Sequence, residues 1–264
     1  MKHRYSIFRV TQYLLTALIF LFTWLPTASA LDIQARLHWS KRVELGTPVN
    51  GVIKSVLVNT GDRVKQGELL VQLDDRNYAA ALLKARAREK DLGEKRKEAQ
   101  RQLKRAQELY DRTVLSEHDL QTAKNNKVSA DSEYETAKSE LVTAELNLEY
   151  TSIRAPFNAL VLSTNAELGQ TVVSQLKPVK LITVAAAGEM IARGDIEQSQ
   201  LDGDLQGRPV EVVVAGVQYN GKVKYVGLEP NKTDKQGIYY EIAVVFITGQ
   251  RILRAGQQVT IKLP

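Results

Sequence analysis

Few residues of this chain have the types and spacing for covalent or metal chemistry, and those few fall short in detail. Gly216-Val217-Gln218-Tyr219-Asn220-Gly221-Lys222-Val223 has the Gly and Lys spacing of a loop whose backbone N–H groups cradle phosphate. Its last position is Val223, which has no hydroxyl for Mg²⁺, and a strand pattern follows where a helix is needed, so the segment reads as a hairpin turn. His3, His38 and His118 share no metal-ligand spacing, and there is no Cys to complete a zinc site. Of the two Met residues one is Met1, so no soft ligand cluster exists. A Ser nucleophile needs a His beside it, and none is suggested. The carboxylates fall on helix faces, where solvation is the plain reading. The chain is expected not to be an enzyme and to carry no cofactor or metal.

The elements that would position any site are more legible. Thr47-Pro48-Val49-Asn50-Gly51-Val52-Ile53 is echoed 108 residues later by Ala155-Pro156-Phe157-Asn158-Ala159-Leu160-Val161, and the same offset carries Ser55 to Ser163, Gly61 to Gly169 and Val64 to Val172. Each copy reads as short apolar strands with Asn, Gly and Asp turns, a half-sandwich that cannot bury its face alone. The halves must pair, and whatever lies between them must leave and return at one place.

Between them, Tyr78, Leu82, Ala85, Glu89, Leu92, Arg96, Ala99, Leu103, Ala106 and Tyr110 alternate steps of four and three. Leu120, Ala123, Lys127, Ala130, Tyr134, Ala137, Leu141, Ala144 and Leu148 repeat the rhythm. That period is the seam of a left-handed coiled coil. Two matched helices of about 50 Å are expected to face each other, with Glu89, Arg96 and Lys127 lowering seam stability and setting register. The connection Asp111–Asp119 offers Ser116 followed by Asp119, an N-cap with an acidic first turn.

Composition excludes some function classes. The formal charge is +6, from 36 Lys and Arg against 30 Asp and Glu. Lys2, Arg4 and Arg9 precede a cleavage signal, which leaves 33 basic residues against those 30. Basic and acidic residues interleave along the helices and only 6% of residues are aromatic, so nucleic-acid binding is not expected. Met1 to Ala30 has a basic start, an apolar stretch from about Tyr13 to Leu25, Pro26, and Ala28-Ser29-Ala30 as a small-residue cleavage site. This is a secretory signal, expected to be cleaved after Ala30; kept uncleaved, its short apolar stretch would be an anchor.

After Ile182, five strands are expected: Met190–Asp195, Pro209–Val214, Lys222–Leu228, Tyr239–Phe246 and Gln258–Leu263. Asn220-Gly221 is a tight-turn signal, Ile196–Asp202 a short helix, and Leu253–Val259 the turn into the last strand.

Split lipoyl-like halves around an antiparallel hairpin, behind a signal sequence, resemble the HlyD-like membrane fusion proteins, the periplasmic adaptors of tripartite efflux pumps. The residues that carry the resemblance are Gly51-Val52-Ile53 through Gly61-Asp62-Arg63-Val64, Gly67-Glu68-Leu69-Leu70, and Leu148-Glu149-Tyr150-Thr151-Ser152-Ile153-Arg154-Ala155-Pro156-Phe157 at the return. Either half alone would also fit a biotinyl or lipoyl carrier. Such a carrier needs an exposed Lys at the turn joining the halves, and here Leu73-Asp74-Asp75-Arg76 runs into the hairpin instead.

The resemblance implies an elongated, multidomain, mixed α and β chain. Its parts are a signal peptide at 1–30, an N-terminal strand at 31–43 joining a β-barrel, lipoyl-like halves at 44–75 and 150–184, the coiled-coil α-hairpin at 76–149, and the β-barrel at 185–264. A further membrane-proximal domain of larger members is expected to be missing after Pro264. The function implied is that of a periplasmic adaptor at the inner membrane. It would link an efflux transporter, resistance-nodulation-division type ahead of ATP-driven, to a TolC-type outer-membrane channel, and assemble into a ring for export of small molecules. Adaptors of TolC-type channels carry an Arg, a Leu four residues on and a Ser seven further at the hairpin tip, and Arg105, Leu109 and Ser116 have that spacing. An Arg fork, a small apolar anchor and a hydroxyl suit a docking contact. The plain alternative leaves Arg105 solvated, Leu109 in the seam and Ser116 a cap. A different class of function, a periplasmic binding or regulatory module that delivers a ligand or metal to a partner, would need a ligand cluster or a formed pocket.

Overall fold

The computed structural model describes residues 31–173, 179–201, 203–234 and 237–263, so the secretory signal and anchor readings of 1–30 lie outside it. Two compact units form. One joins β1 (Leu31–Trp39) to the chain from Gly188 onward, and the other is Ser40–Ala187. No described helix is long and apolar enough to cross a membrane.

In the second unit the strands are β2 (Arg42–Leu45), β3 (Gly51–Val56), β4 (Arg63–Val64), β5 (Leu69–Leu73), β6 (Ser152–Arg154), β7 (Ala159–Thr164), β8 (Thr171–Val172) and β9 (Ile182–Ala186). The repeat has a direct structural image. β3 and β7 are offset by 108 residues, as are β4 and β8. The halves exchange their short strands: β4 pairs with β7, and β8 with β3, in two four-stranded sheets ordered β2-β9-β7-β4 and β6-β5-β3-β8. Hydrogen bonds repeat the exchange. The Gly61 N–H donates to Val161 O at 2.8 Å and the Gly169 N–H to Ile53 O at 2.9 Å. Both glycines have φ near +90°, at +99° and +81°, which a side chain would oppose. Each half thus covers the face the other exposes, and Ile53, Leu70, Val71, Leu73, Val161, Val172, Leu181, Ile182 and Val184 are sealed between them.

Between β5 and β6 run α1 (Arg76–Asp111) and α2 (Glu117–Glu149), 36 and 33 residues long, or about 54 and 50 Å. Arg86 to Glu145, Arg88 to Glu140 and Arg96 to Asp131 pair across them, which fixes an antiparallel run.

The first unit is a closed barrel ordered β1-β10-β13-β12-β11-β14, with β10 (Glu189–Glu197), β11 (Pro209–Val214), β12 (Val217–Asp234), β13 (Gly237–Ile247) and β14 (Gln258–Leu263). Alternation builds it. Ile33, Ala35 and Leu37 point inward with Met190, Ala192, Ile242, Val244, Phe246 and Ile261, while Gln34, Arg36 and His38 take the outer wall.

Two local expectations are corrected here. Asn220-Gly221 is not a turn but lies inside β12. The turn is Ala215-Gly216, whose φ values of +47° and +79° suit a two-residue hairpin and leave Val214 opposite Val217. Gly221 serves packing, since a Cβ there would come within 2.8 Å of Val244 Cγ1. The short helix reduces to one 3₁₀ turn, Gln198–Gln200, closed by reciprocal bonds between Glu197 and Gln200.

Candidate functional site

The helical pair is held at its foot by the sandwich. The Leu73 N–H donates to Thr151 O at 2.8 Å, which ties the exit strand to the return, and the Thr47 hydroxyl donates to Tyr150 O at 2.7 Å. Tyr78, in the first turn of α1, donates its hydroxyl to Asn50 O at 2.7 Å. Asp74 takes both Nε and Nη2 of Arg76, which holds its carboxyl down at about 2.

Along the shaft most positions of the expected rhythm are at least partly buried, and Leu92, Leu120 and Ala137 among them are buried. Two positions depart from it. Arg96 swings out over the Tyr134 ring, 4.8 Å from its centroid, to reach Asp131. Tyr110 is 38% exposed and Leu109 is half-buried instead, at the point where its carbonyl takes the Val114 N–H and the helix ends.

Gly93 makes room for Tyr134, since a Cβ there would sit 3.3 Å from the ring. Hydrogen bonding to Glu89 pushes the Tyr134 hydroxyl up in pKa. Lys127, helped by Arg96, holds Asp131 below the usual carboxylate range, and Lys97 and Arg101 do the same for Glu94 and Glu98.

A carboxylate lowered by the folded state adds stability that is full above its unfolded pKa and is lost as pH falls toward its folded one. Thermal unfolding followed by circular dichroism is therefore expected to be flat from neutral pH to about pH 5 and to weaken toward about pH 2. Asp131→Asn should melt earlier than the parent at pH 7 and converge with it at acid pH. A constant gap between the two at all pH values would contradict the assignment.

At the far end of the pair the structure gathers a small exposed surface. α1 closes with the Thr113 N–H on Tyr110 O at 2.8 Å and the Val114 N–H on Leu109 O at 3.0 Å, with Thr113 at φ +61°. Arg105 and Leu109 lie one turn apart on one side of α1. Arg105 is exposed and, among the described residues, is the α1 arginine without an ion pair, whereas Arg76, Arg86, Arg88, Arg96 and Arg101 each have one. Ser116 caps α2. Its Oγ accepts from the Asp119 N–H at 3.1 Å and its hydroxyl donates to the Asp119 carboxylate at 2.7 Å, so its hydrogen-bonding capacity is largely taken. Sequence reasoning passed over Val114, which is 72% exposed on the turn. Its signal was an apolar residue in a connection where turns normally place polar ones.

Elsewhere, no group of three or more His, Cys, Asp or Glu among the described residues could hold a metal ion.

A protein-family model described as the CzcB-like, barrel-sandwich hybrid domain matches residues 41–185, the sandwich with its inserted helices. The macrolide export protein MacA of Yersinia pestis is 28% identical over 247 residues, covering 86% of this chain and 66% of that protein. The chain spans 60–66% of the length of the MacA proteins it matches. The fold is shared with the membrane fusion protein Spr0693 of Streptococcus pneumoniae R6, at TM-score 0.65 and 16% identity over 88% of this chain and 97% of that one. It is shared too with a MacA-MexA chimera carrying the Pseudomonas aeruginosa MexA α-hairpin domain, at TM-score 0.63 and 23% identity over 88% and 80%. With the repeat, the exchanged strands and the inserted helical pair matched as one block, the chain belongs to the membrane fusion protein family built on the CzcB-like barrel-sandwich hybrid domain.

Proposed function

We propose that the chain is a non-catalytic periplasmic adaptor that links an inner-membrane efflux transporter to a TolC-type outer-membrane channel for export of small molecules. The observation that carries the reading is the end of the helical pair. On a shaft whose other α1 arginines are paired with acids, Arg105 makes no ion pair among the described residues and acts on Glu98 only through space, one turn from the half-buried Leu109, whose carbonyl takes the N–H of the exposed Val114. A guanidinium fork next to a small apolar patch suits a contact with acidic side chains or carbonyls.

In this reading α1 and α2 act as a coiled-coil rod and the barrel engages the transporter. The lipoyl-like sandwich stacks against copies of itself in a ring, and a secretory signal brings the chain to the periplasm. The segments 31–43, 44–75, 76–149, 150–184 and 185–264 then work as barrel strand, half-sandwich, rod, half-sandwich and barrel.

Affinity purification of the tagged chain from detergent-solubilised cell envelopes is expected to recover a transporter and an outer-membrane channel together. Mass spectrometry of the recovered transporter decides between a resistance-nodulation-division pump and an ATP-driven one. Recovery of the folded chain with neither partner would contradict the proposal.

A further inference from the structure

The outer wall of the barrel carries a charge arrangement that the adaptor role does not use. β1 and β10 pair with Arg36 opposite Arg193, and β10 and β13 pair with Asp195 opposite Glu241. All four are out of register with the inward row of Ala35, Leu37, Ala192 and Ile196, so they share the outer face. Like charges directly opposite on a ladder are destabilising, and this wall has two such rungs of opposite sign side by side. Arg193 and Asp195 are two residues apart on one strand, which puts the rungs about 7 Å apart.

Arg193 acts through space on the Tyr225 hydroxyl, but neither arginine is spent on a direct contact. Neither has a hydrogen bond or ion pair among the described residues, and the Arg193 Nε is shut off from solvent without an acceptor, a state that buried polar atoms rarely keep. The carboxylates are held in place from behind. The Tyr225 hydroxyl donates to Glu241 at 2.5 Å and the Asn231 amide to Asp195 at 2.6 Å, each occupying one oxygen. Over the two rungs opens a cleft of about 430 Å³, lined also by Gln34, His38 and Gln258. Gly194, between Arg193 and Asp195, lets the β1 backbone press in, since a Cβ there would lie 2.7 Å from Gln34 O.

We propose that this cleft binds a small zwitterion, with an oxyanion on Arg36 and Arg193 and an ammonium on Asp195 and Glu241. The site sums to no net charge but is strongly dipolar, so a dipole complements it where a lone ion does not. A bare anion on the arginines would face two carboxylates one rung away, and a bare cation on the carboxylates would face two guanidiniums. A phosphoethanolamine group fits best, because two carbons between phosphate and ammonium suit the rung spacing better than the single carbon of an α-amino acid. The group can come from a soluble metabolite or from a lipid headgroup. This inference stands apart from the docking role of the helical pair and does not depend on it.

The test is calorimetric titration of the full chain, in a non-ionic detergent, with glycerophosphoethanolamine and, separately, glycerol 3-phosphate. The zwitterion is expected to bind at least about tenfold more tightly than the anion alone. Arg193→Gln and, as a second and more exposed variant, Arg36→Gln should each lose about tenfold or more with a melting temperature no lower than the parent's, since each change relieves a like-charge rung. Glu241→Gln keeps the acceptor for Tyr225 and should weaken the zwitterion while leaving glycerol 3-phosphate no weaker. Flotation with phosphatidylethanolamine vesicles separates the sources. Weaker capture of Arg193→Gln than of the parent points to the headgroup, and equal capture with intact binding of the soluble probe points to the free metabolite. No binding of glycerophosphoethanolamine by the parent, equal affinity for glycerol 3-phosphate, or indifference to both arginine changes would overturn the proposal.

Discussion

Leu109→Asp is expected to abolish capture of the outer-membrane channel while the transporter is still recovered. Leu109 is half-buried where α1 ends, and its carbonyl accepts the Val114 N–H that closes the turn. A carboxylate there puts an unpaired charge into the proposed contact, and loss of a central contact residue costs about 2 kcal/mol or more, roughly thirtyfold in affinity. Because Asp at a half-buried position also loosens the last turn, Arg105→Glu is the companion variant. Arg105 is exposed, and reversing its charge disturbs no packing. Both variants should keep the parent's helical circular dichroism. Full channel recovery with both would remove these residues from the docking role.

Leu73→Ala should be the most destabilising single change in the sandwich. Leu73 is fully buried at the last position of β5, opposite Ile53, and its Cδ2 lies 3.0 Å from where a Gly51 Cβ would be. Its N–H also holds Thr151 O, so the residue pins the exit strand of the helical pair to the return. A cavity of this kind costs about 3 kcal/mol. In a unit of this size that is a drop of roughly 6–12 °C in melting temperature. Leu83→Ala, on the exposed side of α1 at 67% exposure, should change it by roughly 1 °C or less. Similar losses from the two would mean that the sandwich core does not carry the stability assigned to it.

The sandwich was legible because its repeat preserves turn chemistry as well as hydrophobicity. Gly61 and Gly169 mark equivalent left-handed positions, and strands at the same offset follow from them. The helical rhythm was legible for the same reason, as a period, and it failed at two positions: Arg96, which swings out to Asp131, and Tyr110, whose place Leu109 took. Asn220-Gly221 misled because the same dipeptide serves a turn or a close strand contact, and only the approach of Val244 decides which.

The candidate site was visible as a spacing but not as a surface. Whether Arg105 forms an ion pair depends on which acid the opposite helix brings alongside. That is a long-range fact, as Arg88 with Glu140 and Arg96 with Asp131 illustrate. The two like-charged rungs of the barrel were equally hidden. Arg36 and Arg193 are 157 positions apart in the sequence and meet only through strand register.

The most direct measurement is photo-crosslinking in living cells, with probes replacing Val114 and His118 at the end of the helical pair and Leu228, 97% exposed on β12, in the barrel. The account predicts an outer-membrane channel captured at the first two positions and an inner-membrane transporter at the third. A folded, exported chain that captures neither, or that captures the channel through Leu228, would contradict it.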